Sequence, residues 1–204
     1  MTNAFDKLKK ISSDYKIAVD ALTPDYQHDG ARDHLWSEEV QARMKTDRNA
    51  AYNAEIDKLA QKAQEQAAPV IAELRETVQR YITSSTDPAT LTTLQGLIAA
   101  GADLSEAEIK AFAEKGGYYV LRLLEKPSRG HIPAPSLEKF EAEVADLERH
   151  FRDIWAYRGG LASIGSGGYF GQASTTSSVI MKGMIDGLPG KLDAMAERWA
   201  VLEH

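Results

Sequence analysis

The sequence predicts an all-α protein: a helical bundle with one long helix, kinked at a proline, and a Gly-rich uncharged loop or arm. Three observations carry that expectation. Residues 31–83 contain no Gly and one Pro, and they are rich in Ala, Gln, Glu, Lys and Arg, which favour helix. Phe140, Val144, Leu147, Phe151 and Ile154 return at steps of four and three, which draws one apolar face on a helix. Ser105-Glu106-Ala107-Glu108 has the spacing of a capping box, with Leu104 placed to staple onto Ile109.

The elements follow in order. A first helix is expected over about Asn3–Leu22, with Thr2 as cap and Phe5, Leu8, Ile11 or Tyr15, and Val19 or Leu22 on its buried side. Thr23-Pro24 should stop it, because a proline disfavours helical backbone in the residue before it. Asp29-Gly30 reads as a turn. In the long helix, Val40, Met44 and Ala51 mark one stripe, and Tyr52, Ile56, Leu59, Ala63, Val70, Leu74 and Tyr81 continue a seam. Pro69 removes one backbone donor and is expected to kink or divide it. A seam so rich in Ala needs a partner helix, from this chain or another subunit.

Asp87-Pro88 resembles a cap followed by proline at the first helical position, opening a short helix to Ala100 that Gly101 stops. The capped helix ends at Gly116-Gly117. Tyr118–Lys126 is read as helix, since no second strand is there to pair with it. Pro127, Gly130, Pro133 and Pro135 mark a linker, so the chain divides into 1–126, a linker at 127–135, and a C-terminal helical region at 136–204. Ser136 should cap a helix reaching about Tyr157. Arg158 and Lys182 then enclose 23 uncharged residues, with glycines crowded into 159–172, read as a loop or an arm. Two short helices, around Ser178–Ile185 and Lys191–Val201, should close the chain, divided by Gly187-Leu188-Pro189-Gly190.

Composition bounds the function. With 204 residues, 43% hydrophobic and 26% charged, the chain can bury a core. Its net charge of −6, with no third of it basic, argues against gripping nucleic acid or an anionic membrane. No apolar stretch is long enough for a membrane span, and no signal peptide is expected from Met1–Lys10. Without Cys there is no thiolate ligand or cysteine nucleophile.

No catalytic, cofactor or metal residue is assigned. His28, His34, His131 and His150 are scattered, and Glu148-Arg149-His150 points its members in different directions. Ser163 and Ser166 lack the nucleophile-elbow spacing, and the glycines at 165–168 follow a helix rather than a strand, unlike a dinucleotide fingerprint. Trp36, Trp155 and Trp199, on expected helices, are read as core packing or an oligomer contact rather than base stacking. Carboxylate pairs such as Glu38-Glu39 are read as solvated faces.

Residues 67–126 run a long helix into Leu91-Thr92-Thr93-Leu94-Gln95-Gly96-Leu97-Ile98, then Gly101-Ala102-Asp103-Leu104-Ser105 and Ala111-Phe112-Ala113-Glu114-Lys115. With the opening Phe5-Asp6-Lys7-Leu8-Lys9-Lys10-Ile11, this resembles small helical proteins encoded in the structural-gene clusters of tailed bacteriophages and prophages. The resemblance implies a non-enzymatic structural or assembly protein, found in the host cytoplasm during assembly or in the virion, partnering itself as a homo-oligomer and other virion proteins. Helix association and arm exchange would act through Leu59, Leu74, Phe140, Leu147, Phe151, Tyr169 and Phe170. The alternatives are a bacterial helical adaptor outside phage biology, and an enzyme with a pocket near 159–172.

Overall fold

The computed structural model describes residues 2–26, 35–84, 87–126, 134, 136–159 and 172–203. Among them run seven α-helices and no strand: α1 (Thr2–Tyr26), α2 (Glu38–Ser84), α3 (Pro88–Ala99), α4 (Glu106–Lys115), α5 (Gly117–Leu124), α6 (Leu137–Asp153) and α7 (Gln172–Trp199). The all-α expectation is therefore met. The expected turn at Asp29-Gly30, the Gly-rich run 160–171 and all of the linker 127–135 but Ala134 lie outside the described residues.

Contacts divide the chain into two compact units, each drawing on both sides of that linker. The first joins Met1–Ile71 with Ala145–Glu197, and the second joins Ala72–Val144 with Arg198–His204. α2, α6 and α7 each pass from one unit into the other along the chain.

In the first unit, the bonds between helices give their directions. Lys9 pairs with Asp193, and Lys16 pairs with Asp186 at 3.1 Å. Moving seven residues forward along α1 moves seven back along α7, so those two helices are antiparallel. The Ser12 hydroxyl meets His150 Nε2 at 3.5 Å, and Tyr15 Oη donates to the Tyr157 carbonyl at 3.3 Å. Both numbers rise together, so α1 and α6 are parallel. Tyr52 Oη donates to the Arg158 carbonyl at 2.9 Å, and Gln64 Nε2 donates to the Arg152 carbonyl at 3.0 Å, so α2 runs against α6. Two helices thus run each way. Between them lie Phe5, Leu8, Val19, Ile56, Leu147, Ile154, Leu192 and Met195, all buried.

In the second unit, Leu94, Val120 and Leu124 form a core from α3 and α5, with Ile109 and Phe112 of α4 packed against it. Local signals build this unit. Asp87 accepts from the Ala89 and Thr90 amides at 3.2 and 3.1 Å. The Thr90 hydroxyl bond, with those amides, holds the Asp87 carboxyl below its ordinary range. α3 ends in a Schellman motif, with the Ala102 amide on the Leu97 carbonyl and the Gly101 amide on that of Ile98. Gly101 has φ +70, a left-handed conformation that other residues avoid. The capping box is present in both directions, with Glu108 Oε2 accepting from the Ser105 amide at 2.9 Å.

Several boundaries differ from expectation. Thr2 is the first residue of α1 rather than its cap, and α1 continues through Thr23-Pro24 to Tyr26, because a proline in a final turn removes one hydrogen bond and leaves earlier turns intact. α2 starts at Glu38 behind a Ser37 cap, and Pro69 does not divide it. Pro69 faces outward while Ala67, Val70 and Ile71 are buried, so the carbonyl it frees is on the side water can reach. α6 stops at Asp153 and gives way to a short 3₁₀ turn, Ile154–Ala156.

The largest correction concerns α7. Helix begins at Gln172, so residues 172–177 are helix rather than loop or arm, and Gly187-Leu188-Pro189-Gly190 does not break it. Met181, Ile185, Leu188, Leu192, Met195 and Trp199 step by four and three without a gap, and all are buried. Each buried side chain contributes about 1.5–3 kcal/mol, and together they outweigh one proline and two glycines.

Candidate functional site

α7 carries a second row beside its buried seam. Ile180, Gly183, Gly187, Gly190 and Ala194 step by three and four, and all are exposed. Val179 and Ile180 are 58% and 59% exposed, and Met184 lies beside them at 41%. No charged residue interrupts the row. A Cβ built on Gly183, Gly187 or Gly190 would meet nothing within 4 Å. Such glycines relieve no clash inside the chain, yet each costs about 0.5–1 kcal/mol of helix stability relative to Ala.

Along the edge of this row lies a half-open cleft of about 350 Å³ between α6 and α7, within the first unit. Leu147 and Leu188 give it apolar walls, and Gly183 and Gly187 leave its mouth wide. At the rim, Asp146 bridges two cations: Lys191 Nζ at 3.2 Å and Arg149 Nη1 at 3.7 Å. His150 lines the cleft and is 4% exposed. Burial, and then the nearby Lys191 charge, depress its pKa to about 4, so the ring is neutral at pH 7.

The tautomer follows from Ser12. Its hydroxyl is buried, and its described contact is with His150 Nε2. A buried hydroxyl proton needs an acceptor, so Ser12 donates to Nε2, and the ring proton belongs on Nδ1.

The residues singled out from sequence fall into three groups. Leu74, Phe140, Leu147 and Phe151 are buried within this chain. Leu59 is half-buried, and Ile56 and Ala60 take the inward positions around it. Tyr169 and Phe170 lie outside the described residues, as do His28, His34, His131, and the body of the pocket expected near 159–172.

The Val40, Met44, Ala51 stripe is exposed rather than buried. No described residue from 35 to 51 is buried, so Val40 and Met44 lie on an open face of α2, with Trp36 exposed just before the helix begins. Sequence reasoning missed His150, Ser12, Lys191 and the outward row of α7. Steps of three and four through 180–194 could have revealed the row, but the Pro and Gly signals there were read as a break.

Among the described residues, no group of three or more His, Asp or Glu side chains could hold a metal ion, and no helix is long and apolar enough to cross a membrane. No family model matches the chain, and neither a curated protein nor a solved structure shows a significant match to it.

Proposed function

We propose that this chain is a non-enzymatic structural or assembly protein that works by helix–helix association, of the kind encoded in the structural-gene clusters of tailed phages and prophages. The association reading rests on the outward row of α7. A helix with one seam buried in its own unit and a second, uncharged row in solvent is suited to packing between two neighbours. Glycines at Gly183, Gly187 and Gly190 would let a second helix approach closely. The phage setting rests on the resemblance over residues 67–126 and the opening of α1.

A second copy of the chain is the partner this row fits. Ultracentrifugation over a range of concentrations tests it. The wild type should sediment as an oligomer, and Ile180→Glu combined with Gly187→Glu should sediment as a monomer with unchanged helix content. A wild type that stays monomeric at high concentration would overturn the association reading. Neighbouring terminase, portal and capsid genes, and detection of the chain in purified particles, test the phage setting separately.

A further inference from the structure

We infer that the cleft between α6 and α7 is a binding site for a short-chain monocarboxylate, which offers its carboxylate to Lys191, Arg149 and His150 and its apolar tail to Met184 and the edge of Leu188. The inference goes beyond helix association and does not depend on it, but Gly183 and Gly187 belong to both surfaces, so a second helix on the row and a ligand in the cleft would compete.

Charge comes first. Among the residues that line the cleft, one carboxylate, Asp146, faces two cations, which leaves one positive charge over; Asp153, whose charge also reaches His150, is paired with Arg152 at 3.2 Å. The neutral His150 adds none. Hydrogen bonding comes second. Nδ1 of His150 has no partner among the described residues, and no buried polar side-chain atom there is left without one. Nδ1 therefore reaches the open space of the cleft that His150 lines. Its proton is a donor. Lys191 and Arg149 are donors too, so every polar group at the cleft except Asp146 asks for an acceptor.

Shape comes third. The cavity is of the size that small-molecule clefts have, and opposite its charged rim the lining is Met184 with the edge of Leu188 and two glycines. Gly183 and Gly187 keep it open with room for side chains that the sequence does not place there. An anion with a short apolar tail satisfies all three features. A cation meets the wrong charge, and a neutral alcohol leaves the excess charge unanswered.

The test uses hexanoate, hexanol and hexylamine with the 15N-labelled full chain, followed by amide chemical shifts. Hexanoate should shift signals from residues 146–150 and 183–191, with a Kd on the order of a millimolar. Hexanol should bind about tenfold more weakly, and hexylamine should leave these signals in place. Lys191→Met should weaken hexanoate about tenfold while leaving hexanol unchanged. Gly187→Leu should fill the mouth and abolish binding of both, with circular dichroism showing the helices intact. Hexanoate shifts that are absent or scattered over the surface would overturn the inference. So would equal affinity for hexanoate and hexanol, or no effect of either substitution.

Discussion

Glu143 and His150 sit seven residues apart on α6, and both are buried, one in each unit. Their bonding differs. Glu143 Oε1 accepts from Arg198 Nε at 2.9 Å and Nη2 at 2.5 Å, and Oε2 accepts from Trp199 Nε1 at 2.7 Å. Both carboxylate oxygens are in use, and Phe140 packs edge-on against the Trp199 ring at 5.3 Å. His150 has one long bond to Ser12 and a second nitrogen facing a cleft. A buried polar group with every valence answered holds a fold together. One with a valence left over has the capacity to bind something else.

The comparison can be broken from either side. Trp199→Ala removes both the ring and the donor to Glu143, and should cost about 4 kcal/mol of unfolding free energy in urea titrations. Glu143→Ala leaves Arg198 and the Trp199 N–H without their acceptor. It should cost about 3 kcal/mol, read as a lower denaturation midpoint at unchanged slope. A loss under about 0.5 kcal/mol would show that the network is dispensable.

His150 makes a prediction of different form. Its folded pKa of about 4 lies below the ordinary 6.5, so between those values the unfolded chain binds a proton that the folded chain refuses. Stability should fall by about 2–3 kcal/mol as pH drops from 6.5 toward 4, and should be flat with respect to this group above that window. His150→Leu should lower the plateau and remove that share of the slope, seen in melting curves collected across the range.

The smallest effect has the opposite sign. At concentrations where the chain is monomeric, Gly187→Ala should stabilise it by about 0.5–1 kcal/mol, because within the chain the new methyl meets nothing and helix propensity favours it. A loss of stability would mean the open mouth of the cleft is filled in solution.

What the sequence makes legible here is local or periodic. The Ser105 capping box, the Asp87-Pro88 start, the Gly101 stop and the face of α6 from Phe140 to Ile154 are each set by residues within a few positions of one another. Where local signals compete with burial, burial wins. Pro189 and its flanking glycines argue for a break, yet Ile185, Leu188 and Leu192 hold the helix through it. Periodicity also says that a face is apolar without saying what covers it. Val40 and Met44 are spaced like Tyr52 and Ile56, but only the second pair is buried.

The cleft was illegible for a plainer reason. Ser12 lies 138 positions from His150, and Lys191 lies on another helix. No local pattern joins them, and His150 beside Glu148 and Arg149 reads as surface.

Synthesis runs from the N-terminal side, and neither unit holds all of its parts until α7 has been made. The first unit waits for Ala145–Glu197, and the second waits for Arg198 and Trp199. A nascent chain therefore emerges with the sides of α1 and α6 that meet α7 unpaired until α7 follows. A ribosome stalled before that point would display those unpaired faces to chaperones and proteases, and release would end that exposure.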